Sequence, residues 1–459
     1  MQTGLTVAAL ATPPGKGGVA LLRISGPEAF ELAGRIFCPV GGKAVSALSP
    51  RRAVWGDILY GGEPIDDGIL VLFPAPHSYT GEDTAEISCH GGVLLAQKVL
   101  EAALLAGAHM ARAGEFTRRA LVSGRLTLSD AEAIGGLLDA RSDGELRLYR
   151  RKSRDHLSLA LEELYGGLLS LVGSMAAVID YPDEDLAELS PAEVETGVLA
   201  VLAKANRLKG TYATGRAVTE GIKTVLCGRA NVGKSSLYNA LLGKDAAIVT
   251  EYEGTTRDVL SSAASLGRVR LLLQDTAGIR ETEDPVEKIG VARSREAVED
   301  AEWILAVFDA SRPLSEEDVA LAESLRQARG RKVAVFNKAD LGCAAVLPAS
   351  IADLFSATVE VSAKEGELSA LRKLAEESFT DGTLTLGEDA ILSHPRQYAA
   401  LCRGTEALEG CLAAIRAGME WDAALSDLEI AMEAFGECNG RTVKEDVVDR
   451  IFSSFCVGK

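Results

Sequence analysis

The sequence predicts a multidomain chain that combines α/β and all-α regions. Its 459 residues are enough for about three domains. Near the middle, an apolar run leads into a glycine-rich loop and a helical pattern, which is the order of a phosphate-binding α/β domain. Apolar residues on either side of that region recur with helical spacing. We therefore expect an N-terminal α+β domain (1–118), a discontinuous helical bundle (119–215 and 383–459), and a P-loop domain inserted in the bundle (216–382).

Short apolar runs alternate with turns in the N-terminal region, which is typical of a mixed α+β domain. We expect strands at 7–10, 19–24, 69–73 and 84–88, and a helix at 93–106. Two polar loops that carry aromatic residues, 76–83 and 114–117, lie outside these elements. The residues alone leave open whether the loops are ordinary surface or part of a site.

Stripes of apolar residues predict the helical bundle. Leucines between 157 and 171 fall on one face, and further stripes occur at 401–415 and 421–435. A short helix does not bury such a stripe alone, so we expect the helices before and after the P-loop domain to pack together. Thr214–Gly215 and Asp381–Gly382 are the expected hinges.

The glycine-rich loop is Gly228–Ser235, with the pattern G-x-x-x-x-G-K-S, between a predicted strand at 222–227 and a predicted helix. Glycines let backbone N–H groups approach phosphate oxygens, and the helix N-terminus adds partial positive charge. Lys234 is predicted to reach the β- and γ-phosphates, and Ser235 to hold Mg²⁺. Further predicted nucleotide contacts in this stretch are Asn231, Val232, Gly233 and Ser236.

Three later motifs identify the nucleotide. In Asp275-Thr276-Ala277-Gly278, the carboxylate can hold the metal ion through a water molecule. The N–H of the glycine can donate to the γ-phosphate. In Asn337-Lys338-Ala339-Asp340 the last carboxylate accepts two hydrogen bonds from guanine N1 and N2, a donor pair that adenine lacks. Ser362-Ala363-Lys364 fits the loop at guanine O6. Their order along the chain predicts a Ras-like GTPase domain that binds GTP.

Two parts of a Ras-like catalytic site are missing from these motifs. Ile279 stands where Ras-like proteins have the glutamine that orients the attacking water, and no arginine finger is identifiable. Thr256 suits the second hydroxyl ligand of Mg²⁺. Its neighbours Arg257 and Asp258 are candidate catalytic residues, and the competing interpretation is a surface ion pair of little energetic weight.

Together with the C-terminal Phe455-Cys456-Val457-Gly458-Lys459, these motifs resemble the MnmE (TrmE) family of tRNA-modifying GTPases. The resemblance runs from Ala11-Thr12-Pro13-Pro14-Gly15 to the last residue. It implies that a potassium ion replaces the arginine finger and that two GTPase domains dimerise across it. The residues that match the family's potassium site are Asn231 and the loop residues Thr250, Tyr252 and Thr255. Ala230, where relatives usually have proline, departs from the pattern but leaves the neighbouring motif residues intact.

The resemblance also supplies a catalytic residue and a second ligand. Glu287 matches the family's catalytic glutamate, although an exposed helix position is the simpler interpretation without the resemblance. The N-terminal domain is similar to folate-binding domains, which implies 5-formyltetrahydrofolate or a related folate and a homodimer interface. The implied folate contacts are Arg23, Glu86, Arg125 and Lys459. Many relatives have lysine at the position of Arg125, and a planar guanidinium is a different donor set from an ammonium.

The C-terminal residues 450–459 are apolar for a chain end and carry the thiol of Cys456. One interpretation is a helix end docked in the bundle, with the cysteine as a small buried residue. The other places Cys456 and Lys459 near the folate site. There the thiol would position the substrate or attack C6 of a uridine.

Composition limits the partners and the compartment. A formal net charge of −18 argues against a broad basic surface, so a tRNA needs a local patch or a partner's surface. Eight cysteines without C-x-x-C spacing and five unclustered histidines indicate neither a zinc site nor a disulfide framework, and fit a reducing cytoplasm. The N-terminus lacks the basic leader of a signal peptide. The longest apolar helical run, 166–179, is too short for a bilayer, so we expect no membrane segment.

The expected function is a cytoplasmic, potassium-activated GTPase that works with the FAD-dependent partner MnmG (GidA) in a heterotetramer or larger assembly. The resemblance implies addition of a carboxymethylaminomethyl group to C5 of wobble uridine 34 in certain tRNAs. The alternative is a ribosome-assembly or RNA-binding switch GTPase, a class that usually carries a basic RNA-binding domain. A folate-dependent one-carbon transferase that acts alone under GTP control is a third interpretation.

Overall fold

The computed structural model describes residues 4–180, 190–243, 261–274, 297–441, 445–453 and 455–458. The chain forms two compact units. The first contains Met1–Leu138 and Glu433–Lys459, and the second contains Asp139–Met432.

The N-terminal elements form one mixed sheet with helices. They are β1 (Val7–Leu10), β2 (Val19–Ser25), α1 (Ala29–Ile36), β3 (Phe37–Pro39), a 3-10 helix (Val45–Ala47), β4 (Val54–Tyr60), β5 (Glu63–Phe73), β6 (Thr84–His90), α2 (Val93–Leu105), β7 (His109–Met110), α3 (Glu115–Val122) and α4 (Leu128–Asp139). The sheet has seven strands in the order β3-β4-β5-β6-β2-β1-β7. Neighbouring strands are antiparallel except β1 and β7, which are parallel.

Apolar residues on one face of this sheet form the core of the first unit with α1 and α2. Leu22, Leu32 and Ile87 are fully buried there. Complete burial of such a side chain contributes about 1.5–3 kcal/mol. Because a slip of one residue would move Leu22 of β2 and Ile87 of β6 to the other face of the sheet, burial fixes the strand register. In that register Arg23 of β2 stands opposite Glu86 of β6.

The later elements begin with helices and continue with a second sheet. They are α5 (Asp143–Leu148), α6 (Arg151–Asp180), α7 (Pro191–Gly210), α8 (Tyr212–Thr219), β8 (Ile222–Cys227), α9 (Lys234–Leu242), β9 (Ser261–Leu266), β10 (Val269–Gln274), β11 (Trp303–Asp309), α10 (Glu316–Ser324), β12 (Arg331–Asn337), a 3-10 helix (Ala339–Leu341), α11 (Ala349–Ala352), β13 (Ala357–Glu360), α12 (Ser369–Phe379) and α13 (Pro395–Arg416). The last helices are α14 (Trp421–Asn439) and α15 (Glu445–Ser453).

Among the described residues, the second sheet has six strands in the order β13-β12-β11-β8-β10-β9. All neighbours are parallel except β9 and β10, which form an antiparallel pair at one edge. β11 and the Val333–Phe336 part of β12 are apolar and buried, as expected for strands covered on both faces. β8 lies between β10 and β11, so the strand order reverses beside it. Ligands of open α/β sheets bind outside the carboxyl ends of the strands at such a point.

Helices that precede and follow the second sheet in sequence pack together, as predicted. In the α7–α13 pair, Lys209 Nζ donates to Thr405 Oγ1 at 3.1 Å. Tyr212 of α8 stacks on Tyr398 of α13 with ring centroids 4.2 Å apart. The helices before the second sheet, α7 and α8, are therefore packed against α13, which follows it.

The prediction of a hinge at Thr214–Gly215 is wrong, because both residues lie inside α8. Thr214 Oγ1 accepts a hydrogen bond from Asp381 N at 2.8 Å, which ties the two predicted hinges together. Gly215 lies against the Leu392 carbonyl, and a Cβ at this glycine would overlap it. Leu392 N in turn donates to Thr211 Oγ1 at 3.0 Å. The glycine permits a close approach of two backbones instead of a turn.

Helix α6 is longer than the sequence analysis assumed, because the helical run starts well before residue 166. Asp155–Ile179 is long and apolar enough to cross a membrane by length and composition alone, and 17% of its most apolar window is buried. One such helix in the described part of the chain is weak evidence for a membrane. The same helix buries three leucines in the second unit, Leu161, Leu164 and Leu168. The predicted length limit was therefore wrong, and the absence of a membrane segment stays a prediction.

The C-terminal residues pack within the first unit. Phe452 of α15 and Phe455 are buried, with ring centroids 5.4 Å apart. Val457 forms an antiparallel bridge with the loop before α3. Gly458, with φ +102°, lies so close to the Leu10 carbonyl that a Cβ would overlap it. The tail is thus docked against the end of β1 and the loop before α3.

The predicted fold class is confirmed by these two sheets and the surrounding helices. The strands predicted at 7–10, 19–24, 69–73 and 84–88 correspond to β1, β2, the end of β5 and β6, and the helix predicted at 93–106 to α2. The strand, loop and helix around the P-loop are also present. The predicted bounds of the four segments stay predictions.

Replacing Gly215 by alanine should destabilise the second unit by about 1–3 kcal/mol, because the added methyl group overlaps the Leu392 carbonyl and forces α8 away. Urea unfolding followed by circular dichroism should show a lower midpoint. Gly166→Ala is the matched control, since that position in α6 has open space around it. It should stabilise the helix by up to about 1 kcal/mol. Equal midpoints for the two variants would contradict the packing argument.

Candidate functional site

The candidate nucleotide site begins at the carboxyl end of β8. The loop that leaves this strand enters α9 at Lys234. Asn231 and Gly233 have φ values of +63° and +93°, the left-handed region. Loops with such residues present successive N–H groups on a concave surface, which is a common anion-binding geometry. Asn231 is exposed, while Val232 beside it is fully buried and anchors the loop to the core.

Lys234 is folded back onto its own loop. Its Nζ donates to the carbonyl oxygens of Gly228 and Arg229, both at 2.7 Å. Burial lowers the pKa of this ammonium group, and burial also raises the pKa of the Cys227 thiol at the end of β8 to about 11. Neutral carbonyls therefore hold the lysine without neutralising it, so its charge stays available to a phosphate.

The side chain of Asn337 joins two predicted motifs. It is 2% exposed and lies at the end of β12. Its Nδ2 donates to the Val232 carbonyl at 3.0 Å, and its Oδ1 accepts from Ala363 N at 3.0 Å. Gly233 approaches the carboxamide so closely that a Cβ would overlap it. The P-loop and the 362–363 loop are thereby fixed relative to each other.

Asp340 is oriented from the same side. Ser362 Oγ donates to Asp340 Oδ1 at 2.6 Å, while Asp340 is exposed. Lys338, with φ +66°, pairs through Nζ with Asp309 Oδ2 at 2.7 Å. A carboxylate held in this way can accept the guanine N1 and N2 donors that the sequence analysis assigned to it.

Three predicted motifs therefore meet at the carboxyl ends of β8, β12 and β13. Ser235 and Ser236 are exposed in the first turn of α9. The other predicted positions lie outside the described residues, and their roles stay predictions: Thr250, Tyr252, Thr255, Thr256, Arg257, Asp258, Asp275, Thr276, Ala277, Gly278, Glu287 and Lys459.

A second cluster of predicted residues lies in the first unit, on β2 and β6. Arg23 Nε and Nη2 both lie 2.8 Å from Glu86 Oε1, and the two side chains are 15% and 22% exposed. The strand register alone brings them together. A half-buried guanidinium paired with a carboxylate offers donors and acceptors side by side to a planar polar ligand.

Two aromatic rings flank Arg23. Its guanidinium carbon is 5.3 Å from the ring centroid of Tyr79 and 5.5 Å from that of Phe116. Such contacts contribute about 0.5–2 kcal/mol each. The Tyr79 hydroxyl lies 2.8 Å from Thr117 Oγ1, within hydrogen-bonding distance. The 76–83 loop and residues 114–117 thus meet beside Arg23. The prediction of a loop at 114–117 is wrong, because Gly114 caps α3 and Phe116 lies in its first turn.

The docked tail reaches the same cluster. Arg23 Nη1 lies 3.5 Å from the Gly458 carbonyl, and Gly114 N donates to the Cys456 carbonyl at 3.4 Å. Cys456 is exposed, so the interpretation of a buried small residue is wrong. Arg125 is also exposed and lies beside the 76–83 loop, where a Cβ on Gly81 would be 3.2 Å from Arg125 Cγ.

Sequence reasoning missed the residues that support these loops. Arg119 is 5% exposed and pairs with Glu82 Oε2 at 2.8 Å and Glu115 Oε1 at 3.0 Å. It ties α3 to the loop that carries Tyr79. Polar loops with aromatic residues were a usable signal for Tyr79 and Phe116, but no local pattern marked Arg119.

Comparisons with known proteins cover nearly the whole chain. The family model described as GTP-binding protein TrmE N-terminus matches residues 6–125, and the MnmE helical domain model matches residues 128–456. The tRNA modification GTPase MnmE of Symbiobacterium thermophilum is 41% identical over 99% of this chain and 99% of its own length. This chain belongs to the MnmE family.

Other MnmE relatives agree with that assignment. The tRNA modification GTPase MnmE of Moorella thermoacetica is 40% identical over 99% of both chains. Among solved structures, Era of Aquifex aeolicus bound to GDP and AlF4⁻ is 26% identical over 40% of this chain and 65% of its own, with a TM-score of 0.27. That similarity is too low to add to the assignment. The family resemblance drawn from the motifs is therefore confirmed by the full-length MnmE relatives.

Proposed function

We propose that this MnmE-family chain is a potassium-activated GTPase of tRNA modification. With an FAD-dependent partner of the MnmG type, it adds a carboxymethylaminomethyl group to C5 of uridine 34. The observation that carries the proposal is the junction at Asn337, which fixes the P-loop beside the guanine-recognition loop in a chain whose full-length relatives are named tRNA modification GTPases.

In this proposal the described residues bind and orient GTP. Lys234 exchanges its two carbonyl partners for phosphate oxygens, and Ser235 supplies a hydroxyl to Mg²⁺. Asp340 selects guanine over adenine, with Ser362 holding one of its oxygens. When bound, Mg²⁺ neutralises charge on the β- and γ-phosphates.

Potassium is proposed to take the place of the missing arginine finger. Asn231 fits this role because its side chain is exposed at the loop surface. The Thr250, Tyr252 and Thr255 region completes the site in the proposal. A monovalent cation there offsets charge that develops at the bridging oxygen. Glu287 orients water, and two copies of the GTPase domain approach each other across the ion.

The first unit is proposed to bind a folate that supplies the one-carbon unit. Glu86 fits the pterin N–H groups, and Arg23 fits an anionic or carbonyl oxygen, because they form a half-buried donor–acceptor pair between aromatic rings. Arg125 and Lys459 are the two further cationic residues proposed to contact the folate. Cys456, which is exposed on the docked tail, either positions the uridine or attacks it.

The assembly and location follow from the same proposal. A homodimer joined through the N-terminal domains binds the FAD-dependent partner, which supplies the redox chemistry, in a heterotetramer or larger complex. The acidic chain contacts tRNA through a local patch or through the partner. Its expected location is the cytoplasm, away from membranes.

Mass spectrometry of uridine 34 tests the whole proposal. A strain that lacks this gene should lose the carboxymethylaminomethyl group, and the parent gene should restore it. Lys234→Ala should not restore it, because the phosphates lose their cation, whereas Lys43→Gln, at an exposed position outside both sites, should. Deletion of the FAD-dependent partner should give the same loss. Retention of the group without the partner would favour a transferase that acts alone.

Potassium dependence has a separate test. GTP turnover in KCl should exceed turnover in NaCl by at least about tenfold, because in this proposal only bound potassium stabilises the charge that develops at the bridging oxygen. Asn231→Ala should lower the rate in KCl to the level in NaCl. Ala230→Pro, which restores the family's usual residue, is the matched neighbour and should keep the stimulation. Equal rates of GTP turnover by the parent protein in KCl and in NaCl would refute this part of the proposal.

Folate binding is tested by isothermal titration with 5-formyltetrahydrofolate. Arg23→Ala should weaken binding about 10- to 100-fold, because a hydrogen bond to a charged group is lost and Glu86 is left unpaired. Arg52→Gln removes an exposed charge elsewhere in the first unit and should leave the affinity within about twofold. An unchanged affinity in Arg23→Ala would remove this site from the proposal.

A further inference from the structure

A partly buried ion pair joins α5 to the second sheet. Glu145 of α5 has a side chain that is 3% exposed, and its Oε1 lies 3.4 Å from Nη1 of Arg270 on β10. The same Nη1 donates to the Thr219 carbonyl at the end of α8 at 2.8 Å. One guanidinium group therefore contacts two helices from a strand of the sheet.

The strand and α5 also meet through backbone. A Cβ on Gly144 would lie 3.1 Å from the Arg268 carbonyl in the β9–β10 hairpin. Glu145 Oε2 accepts a hydrogen bond from Arg141 N at 2.6 Å, just before α5 begins. The Glu145 carboxylate thus holds the start of α5 with one oxygen and β10 with the other. A displacement of β10 is transmitted directly to this helix.

The pair is incompletely satisfied in the arrangement observed. Arg270 Nε is buried and has no hydrogen-bond partner among the described residues. The 3.4 Å separation is long for a charge-assisted hydrogen bond, which is usually about 2.7–2.9 Å. Burial raises the pKa of the Glu145 carboxyl, and the nearby hydrogen bonds and arginine charges offset this only in part. A small movement of Arg270 relative to Glu145 would let the guanidinium donate from both of its edges to the Glu145 carboxylate.

The position of Arg270 connects this pair to the nucleotide motifs. β10 is bonded to β8 on one side and β9 on the other, and it ends at Gln274. The next residue in the sequence is Asp275, the first of the predicted metal and γ-phosphate motif. Arg270 and the start of this predicted motif are thus joined by one continuous strand.

We propose that Glu145 and Arg270 are positioning residues that couple the nucleotide state of the GTPase domain to helix α5. This inference rests on the proposed GTP binding and goes beyond it. Stability alone does not account for the pair, because a buried ion pair is often no more stabilising than apolar side chains of similar size. Closing and opening of this contact accompanies the exchange of nucleotides and moves the first helix of the second unit.

Hydrogen–deuterium exchange of the full chain tests the coupling. Amides of α5 in the parent should exchange at rates that differ at least threefold between GDP and a non-hydrolysable GTP analogue, each with Mg²⁺ and KCl. The difference should vanish in Glu145→Gln, which keeps the bond to Arg141 N but loses the charge, and in Arg270→Lys, which keeps the charge but loses the fork. Melting curves establish that each variant is folded.

The Arg216–Glu302 pair provides a matched control. It also joins a helix, α8, to the sheet, but through the residue that precedes β11, and its side chains are 33% and 32% exposed. Glu302→Gln should therefore retain the threefold difference in α5. Equal exchange of α5 in the two nucleotide states of the parent, or a difference that persists in Glu145→Gln, overturns the inference.

The outcomes separate this inference from the proposed function. An α5 response to nucleotide in a chain whose loss leaves uridine 34 unchanged would refute the tRNA role and support the coupling. Normal uridine 34 modification with no α5 response would support the tRNA role and refute the coupling. A chain that binds neither nucleotide would overturn both.

Discussion

One buried carboxamide holds the nucleotide-binding end of the second sheet together. Asn337 ends β12, and its amide joins the loop after β8 to the loop after β13. A buried amide left without partners costs about 1–3 kcal/mol, so these loops are stable only in positions that satisfy it. The close approach of Gly233 to the same group leaves no room for a side chain there. The proposed phosphate and guanine contacts thus depend on a residue that bonds to the backbone of both loops.

The two candidate sites hold their cations in different ways. Lys234 rests on two neutral carbonyl oxygens, so its full charge remains available to an anion. Arg23 is paired with Glu86 and flanked by Tyr79 and Phe116, so its charge is largely balanced. The first arrangement suits a highly charged polyphosphate, and the second suits a flat ligand with donors and acceptors of its own. In a chain of net charge −18, each site creates its own local field.

Local patterns in the sequence predicted most of the fold and part of the sites. Alternation and apolar runs located the strands, and the spacing of Gly228–Ser235 located the P-loop, because these signals lie within a few residues. Gly215 was misassigned because its partner, Leu392, is far away in sequence and a close backbone approach has no local signature. Arg23 and Glu86 came from family resemblance, and only strand register explains their contact. The link between Glu145 and Arg270 had no sequence signal at all.

The burial of Cys227 has a chemical consequence for the phosphate loop. Only the thiolate form of cysteine reacts readily with peroxides and alkylating agents. With a pKa of about 11, this thiol is ionised in about one molecule in ten thousand at neutral pH. Cys38 and Cys456 are exposed, whereas the exposed Cys343 donates to Glu360, a contact that raises the pKa of its thiol. The candidate nucleotide-binding loop therefore has a poorly nucleophilic sulfur atom at its base.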